Sequence, residues 1–288
     1  MRAGLFPGQG IPAGTVLERL PDDDSLVAEA QKSLGYPLRR RVKITARRKG
    51  ALLATELAQP AIFVASVGSW RASNAQFDFY AGHSLGEYAA LVAAGSMTFT
   101  DALEVVRVRG EAMNSASKSA PGSMVALLGL GLEDATRIAT QAGVTVANDN
   151  APDQVVLAGP EDGLEKAASL VSDTGARSVL LEVSGPFHTE AVGGAAQDLR
   201  AALDSIDIRE PSVPVISNVT AEPYRSVAEI KDLLVTQLTH AVRWRESVEY
   251  LWAQGAREFV DLGPGRVVAG LASRTTRELK KKEVHVGA

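Results

Sequence analysis

The stretch FYAGHSLGEYAALVAAG, residues 79–95, contains the junction between a strand and a helix. The apolar run FDFYAG, which ends at Gly82, predicts a buried strand with a glycine stop. LGEYAALVAAG has the alanine-rich composition of a helix, and Gly95 stands where a C-cap glycine is expected. A buried strand that runs straight into a buried helix favours an α/β fold with a mostly parallel sheet.

Ser84 lies at this junction, in Gly82-His83-Ser84-Leu85-Gly86. The pattern G-x-S-x-G is typical of a nucleophile elbow, a tight turn that lifts a serine hydroxyl clear of a sheet. The helix that starts at Leu85 would direct free N–H groups toward an anion formed beside the serine. The alternative is an ordinary N-cap serine, which many helices carry. Both interpretations remain open at this point.

The rest of the chain alternates strands with helices. AGLF near the N-terminus and REFVDLG near residue 260 predict further buried strands, and helices are expected at 101–116, 225–238 and 244–254. Between residues 119 and 185 the order is βαββαβ, which matches the ferredoxin-like unit. We therefore predict a large α/β domain, residues 1–118 and 186–288, into which a ferredoxin-like domain, residues 119–185, is inserted.

The composition is that of an ordinary globular protein, with 45% hydrophobic residues and a net charge of −4 over 288 residues. Nothing in it indicates nucleic-acid binding. The chain has no cysteine, which excludes disulfides, thiolate metal sites and a cysteine nucleophile, and which fits a reducing compartment. No apolar run approaches the roughly 18 residues of a membrane span or suggests a signal peptide. We expect a cytoplasmic protein.

A serine nucleophile needs a base within hydrogen-bond reach, and the chain offers four histidines. His83 is adjacent to the serine, so its side chain should diverge from the hydroxyl and line the pocket. His240 and His285 have no supporting motif. His188, in VSGPFHTE, follows the last strand of the small domain, where the chain returns to the large one. His188 is therefore the candidate base, and a purely structural histidine is the alternative.

Two further side chains are candidates for binding. Gln9, in the turn FPGQG after the first strand, would present its amide or its N–H to an oxyanion, unless the segment is a simple turn. The spacing does not form G-x-G-x-x-G, so a dinucleotide site is poorly supported. Arg109, in DALEVVRVRGEAM, would grip a carboxylate through two parallel hydrogen bonds. From the sequence alone, a solvated surface arginine is the favoured interpretation.

Taken together, the motifs resemble those of the malonyl-CoA:acyl-carrier-protein transacylases and the acyltransferase domains of polyketide synthases. The resemblance covers essentially the whole chain, and the segments that carry it are FPGQG, AQPA, GHSLGEYAALVAAG, VRGEAM, NDNAPDQVVLAG, SGPFH, SNV and VDLGPGRVVAGL. It implies an α/β-hydrolase-like large domain, an inserted ferredoxin-like domain and an active site in the cleft between them.

The resemblance also implies roles for individual residues. Ser84 would accept the acyl group, and His188 would be its base, oriented by a backbone carbonyl in place of a carboxylate. The N–H groups of Gln9 and Leu85 would form the oxyanion hole. Arg109 would pair with the free carboxylate of malonate.

Phe187, directly before the proposed base, would crowd a branch at the malonyl α-carbon and so favour malonyl over methylmalonyl. The implied reaction is a ping-pong transfer from malonyl-CoA to the phosphopantetheine thiol of an acyl carrier protein. It needs no metal and no cofactor, because both thiols belong to substrates. We expect a monomer whose partners are malonyl-CoA and the carrier protein, with no membrane and no nucleic acid.

Two other functions are possible on the same scaffold: a serine thioesterase or hydrolase, in which water replaces the acceptor thiol, and a protein that binds carrier protein without turnover. A basic run also needs an interpretation, since seven of the eleven residues from Arg39 to Lys49 are Arg or Lys. Such a run is usually a solvated face. It, or the tail residues Arg274, Arg277 and 280–282, would alternatively steer the docking of an acidic carrier protein.

Overall fold

The computed structural model describes residues 1–21, 25–172 and 174–286. The strands form two separate sheets. In chain order they are β1 (Arg2–Phe6), β2 (Phe79–Gly82), β3 (Ser123–Leu128), β4 (Thr145–Ala151), β5 (Gln154–Gly159), β6 (Arg177–Leu180), β7 (Val215–Ile216) and β8 (Glu258–Asp261).

Helices precede, separate and follow these strands. They are α1 (Ala13–Arg19), α2 (Ser25–Leu34), α3 (Leu38–Ala46), α4 (Thr55–Ser73), α5 (Gly86–Ala93), α6 (Phe99–Ser119), α7 (Leu132–Ala142), α8 (Glu161–Ser172), α9 (Ala196–Asp204), α10 (Val227–Thr236), α11 (Trp244–Ala253) and α12 (Val267–Val286). None of the helices in the described part of the chain is long and apolar enough to cross a membrane.

The first sheet is parallel, with strand order β7-β2-β1-β8. Its side chains alternate between two apolar layers, as the period of two in a strand requires. Leu5 and Ala81 pack with Trp244 and Val248 of α11, whereas Phe6 and the helices on the other face form the larger core. Helices therefore cover both faces, which is the arrangement that a parallel sheet needs. The carboxyl ends of β1 and β2 lie side by side.

The second sheet is antiparallel, with strand order β4-β5-β3-β6. One face packs on α7 and α8 through residues such as Leu127 and Leu157. The opposite face carries Met124, Ala126 and Val156, which line a cavity shared with the first sheet. One side of this sheet is thus closed by its own helices, and the other side forms a wall of the cavity.

The predicted elements are found with small shifts at their ends. The helices expected at 101–116, 225–238 and 244–254 correspond to α6, α10 and α11. The strand expected to run through RSVLLEVS is shorter and ends at Leu180. Its partner β3 begins at Ser123, so few residues of β3 remain to pair with it. The last hydrogen bond between the two segments runs from the N–H of Leu181 to the carbonyl of Met124.

Candidate active site

The junction between β2 and α5 is a strained turn. Ser84 has a φ of +50°, in the left-handed region that costs a residue with a Cβ atom energy. The two flanking glycines permit it. A Cβ on Gly82 would lie 1.9 Å from the carbonyl carbon of Gly86, and a Cβ on Gly86 would lie 2.2 Å from the carbonyl oxygen of Phe6. G-x-S-x-G is therefore a steric requirement here.

The side chain of Ser84 does not cap the helix that follows, because α5 has no side-chain cap at its first turn. Its Oγ lies 2.9 Å from Nε2 of His188. Nδ1 of His188 lies 2.8 Å from the backbone oxygen of Gln237, which can only accept a hydrogen bond. The proton of the neutral imidazole is therefore on Nδ1, and Nε2 is free to accept the hydroxyl proton. The N-cap interpretation was wrong.

His188 is buried, and its surroundings keep it neutral. Burial, together with the charge of Arg109, lowers the pKa of His188 to about 3. A neutral imidazole is the form that can take a proton from serine. The chemistry predicted for this histidine is compatible with its environment, although the low pKa means that its protonated form gains little stabilisation in the unliganded site.

Arg109 lies in the middle of α6 and is 0% exposed, so the surface interpretation was wrong. Its Nη2 donates to Ser84 Oγ at 3.0 Å and to Gln237 Oε1 at 2.9 Å, and its Nη1 donates to Gln59 Oε1 at 2.7 Å. All of these acceptors are neutral oxygens. Burial lowers the pKa of Arg109. A buried guanidinium without a hydrogen-bonded carboxylate is poised to bind one.

The backbone N–H groups of Gln9 and Leu85 lie at the carboxyl ends of β1 and β2, respectively. Within the described residues, neither N–H has a hydrogen-bond acceptor. Gln9, Ser84 and His188 line the same cavity, of about 280 Å³, which opens between the two sheets. Two backbone donors without acceptors, one on a residue that lines the cavity with Ser84 and one on the residue after it, are compatible with an oxyanion hole.

His83 and Phe187 both line this cavity, as the sequence predicted for His83. Nε2 of His83 lies 2.8 Å from Oδ1 of Asn150 on β4, and its ring packs at 5.5 Å against Trp244. Burial lowers the pKa of His83. The imidazole is thus engaged with the small sheet and not with the serine. Phe187 is buried beside His188 and closes one side of the cavity.

Several buried polar residues of the site were not identified from the sequence. Asn218 accepts from the N–H of Ser84 at 2.6 Å and donates to the carbonyl of Gly82 at 2.7 Å, which fixes the elbow from behind. Gln237 contacts both the base and the arginine. Asn218 lies in the segment SNV, which carries a family signal, but Gln237 lies in a stretch with no recognisable motif. Only contact with the distant His188 reveals its role.

Comparison with known proteins identifies the family. Residues 21–287 match the acyl transferase domain. The chain is 43% identical to the malonyl CoA-acyl carrier protein transacylase of Bacillus subtilis, over 96% of this chain and 91% of that protein. An acyl-carrier-protein S-malonyltransferase from Burkholderia pseudomallei superposes with a TM-score of 0.87 at 36% identity, over 95% of this chain and 92% of that one.

A second similar structure is a malonyl-transacylase in complex with its type II PKS acyl-carrier protein, with a TM-score of 0.84 and 35% identity over 96% of this chain and 93% of that one. The chain therefore belongs to the acyl transferase domain family. Within this family it falls in the group of malonyl-CoA:acyl-carrier-protein transacylases.

Proposed function

We propose that this chain transfers a malonyl group from malonyl-CoA to the phosphopantetheine thiol of an acyl carrier protein, in fatty-acid or polyketide synthesis. One observation carries the proposal: Ser84 Oγ lies 2.9 Å from His188 Nε2 and 3.0 Å from Arg109 Nη2. A serine with a base suits acyl transfer, and an adjoining guanidinium suits an acyl group that ends in a carboxylate. The names of the similar proteins point to the same substrate.

The transfer has two halves. In the first, Ser84 attacks the thioester carbon as its proton passes to Nε2 of His188, and the oxygen that becomes negative is held by the N–H groups of Gln9 and Leu85. The C–S bond then breaks, and CoA leaves as a thiol with the proton from His188. In the second half, the pantetheine thiol gives its proton to His188 and attacks the carbonyl carbon of the malonyl ester. The ester C–O bond then breaks, and His188 returns the proton to Ser84 Oγ, which restores the hydroxyl.

Selectivity is assigned to Arg109 and Phe187. When malonate binds, its carboxylate replaces Ser84 Oγ and neutral amide oxygens as a partner of the guanidinium. An acetyl group supplies no such partner, so the buried charge stays uncompensated. Phe187 fills the side of the cavity beside the base and leaves less room for a methyl branch at the α-carbon. The same features argue against a general thioesterase, because such an enzyme does not need a buried arginine that binds a substrate carboxylate.

We divide the chain into a large α/β-hydrolase-like domain, residues 1–118 and 186–288, and a ferredoxin-like domain, residues 119–185. Support for the smaller unit comes from its order β3-α7-β4-β5-α8-β6 and its antiparallel sheet order β4-β5-β3-β6. Support for the larger unit comes from the strained serine turn at the carboxyl end of a parallel strand. On this division, the cavity lined by residues of both sheets would lie between the two domains.

Part of the basic run faces solvent, and one end of it borders a cavity next to the candidate active site. Arg40, Lys43, Arg47 and Arg48 all belong to it, and Arg48 borders a second cavity that shares Phe187 with the first. We propose that these charges attract an acidic carrier protein. Arg40→Glu with Lys43→Glu is expected to raise the KM for carrier protein and to leave malonyl loading from CoA unchanged. Lys166→Glu, on α8, is the control. Equal KM values for both variants would contradict the docking role.

We propose that the protein acts as a monomer in the cytoplasm, and its lack of cysteine suits that reducing compartment. Among the described residues, the groups that would perform the chemistry are side chains and backbone amides, so we assign no metal and no cofactor to the reaction. Both thiols and the acyl group are brought by malonyl-CoA and the carrier protein.

The test is intact mass spectrometry of the protein and a phosphopantetheinylated carrier protein after mixing with malonyl-CoA. We expect a malonyl adduct on the enzyme that passes to the carrier, is absent in Ser84→Ala and persists in the control Ser69→Ala. Release of free malonate without transfer would indicate a hydrolase. No adduct on the wild type would overturn the proposal.

A further inference from the structure

Glu87 is a buried carboxylate that the proposed chemistry does not use. It lies in the first turn of α5, three residues after Ser84, and is 0% exposed. Both of its oxygens accept hydrogen bonds. Oε1 accepts from the N–H of Asn218 at 2.8 Å and from the hydroxyl of Tyr224 at 2.8 Å, and Oε2 accepts from Nε2 of Gln237. Burying a carboxylate is costly, and these three hydrogen bonds offset part of that cost.

The partners of Glu87 hold the two halves of the site. Asn218 fixes the elbow through the N–H of Ser84 and the carbonyl of Gly82. Gln237 holds the base through its backbone oxygen and the arginine through Oε1. One carboxylate thus joins the segment that positions the nucleophile to the segment that positions the base and the guanidinium.

The carboxylate, together with the backbone oxygen of Ser84, decides which way the Gln237 amide points, because Nε2 of Gln237 donates to both. An ionised carboxylate only accepts hydrogen bonds, so the NH₂ group of Gln237 must face Glu87. The amide oxygen then faces Arg109, which has only donors to offer. If the amide turned over, its NH₂ group would meet the guanidinium and the Arg109 position would lose an acceptor.

We propose that Glu87 is a positioning residue for malonyl transfer: by fixing the orientation of the Gln237 amide, it keeps Arg109 in place to receive the malonyl carboxylate. It touches neither the substrate nor the reacting atoms. This inference rests on the proposed function. It adds that Glu87 sets the position of the arginine that binds the malonyl carboxylate.

The proposal predicts how the rate of malonyl loading depends on pH, because the charge of Glu87 changes with pH. The titratable groups that face it are Arg109 from α6, Tyr224 from the segment between β7 and α10, and Tyr88 from α5 itself. Burial raises the pKa of Glu87 to about 7, whereas His188 has a pKa of about 3. As the pH falls through about 7, Glu87 gains a proton, and this proton competes with the Gln237 NH₂ group for the position at Oε2. Malonyl loading should then decline well before His188 is protonated.

Two variants test this role, with single-turnover malonyl and acetyl loading as the readout. Glu87→Gln sets an NH₂ group against that of Gln237. We expect malonyl loading to fall about 10- to 100-fold, the range for losing a hydrogen bond to a charged group. Acetyl loading should fall less, and the acid limb near pH 7 should disappear. Tyr224→Phe, which removes a bond on Oε1 only, is the matched control and should change loading by less than about 3-fold.

The proposal is overturned if Glu87→Gln keeps the wild-type malonyl-to-acetyl ratio, or if the wild type shows no acid limb above pH 5. The pH dependence is measured on the wild type, so it tests the proposal even if a variant does not fold. Absence of malonyl loading by the wild type would instead refute the proposed function.

Discussion

Nδ1 of His188 donates to the backbone oxygen of Gln237 at 2.8 Å. A carbonyl dipole therefore orients the imidazole where a triad would use a carboxylate. Since the carbonyl does not titrate, it fixes the tautomer at every pH at which the protein is folded. It also offers less stabilisation to an imidazolium than a negative charge would, which agrees with the low pKa of this histidine.

Arg109→Ala should separate selectivity from chemistry. The variant removes the partner of the malonyl carboxylate but leaves the Ser84 and His188 side chains in place. Malonyl loading is expected to fall about 10- to 100-fold, while acetyl loading falls less or rises. The measurement is the ratio of single-turnover rates with the two CoA thioesters. A wild-type protein that loads acetyl as readily as malonyl would contradict the role of Arg109.

Gly82→Ala and Gly86→Ala should each prevent folding or disrupt the elbow, because the added Cβ would approach backbone atoms at 1.9 Å and 2.2 Å. Gly270→Ala is the control. Nothing lies within 4 Å of a Cβ at this exposed helical position, and the change should stabilise the protein by about 0.5–1 kcal/mol. Denaturant unfolding provides the comparison. Wild-type stability for either elbow variant would show that the turn relaxes more easily than its geometry indicates.

Phe187→Leu should widen the cavity beside the base. Loading of methylmalonyl relative to malonyl is expected to rise, because the shorter side chain leaves space for a branch at the α-carbon. Phe99→Leu, in the core beside Phe63, is the matched control and should leave the ratio unchanged. Competition between the two CoA thioesters, followed by intact mass, measures this ratio. An unchanged ratio in Phe187→Leu would show that Phe187 does not determine the preference for malonyl over methylmalonyl.

Stability should depend on pH through His188. The folded state holds the pKa of His188 at about 3, against an ordinary value of 6.5. Between these values the unfolded chain binds a proton that the folded protein does not, so stability is lost as the pH falls from about 6.5 toward 3. In His188→Gln this contribution is missing. The difference in unfolding free energy between wild type and variant should change by more than about 1 kcal/mol across this window. A constant difference would refute the neutral buried imidazole.

The elbow was predictable because its physics is local. The turn at Ser84 needs neighbours without a Cβ atom, and these neighbours, Gly82 and Gly86, are close to it in the chain. A short sequence motif is therefore enough to identify the turn. The α/β alternation and the βαββαβ segment were predictable for the same reason, since each element shows its own apolar period. The motif around His188 singled it out among four histidines.

The state of Arg109 was not predictable in this way. On its helix it looks like a surface charge, and only packing of α6 against α4 and α5 makes it fully buried. Its acceptors are Gln59, Ser84 and Gln237, which lie far apart in the sequence. Burial of a charge is a property of everything around it, and no local pattern encodes it.

By itself, the sequence determined the serine turn, the alternation of strands and helices, His188 as the candidate base and, through its motifs, the resemblance to an acyltransferase family. The tertiary structure alone decided that a carbonyl of Gln237 orients this base, that Arg109 is buried against the nucleophile, and that Glu87 joins the two halves of the site. The reason is physical: turns and periodicity depend on neighbours in the chain, whereas hydrogen-bond partners and desolvation depend on neighbours in space.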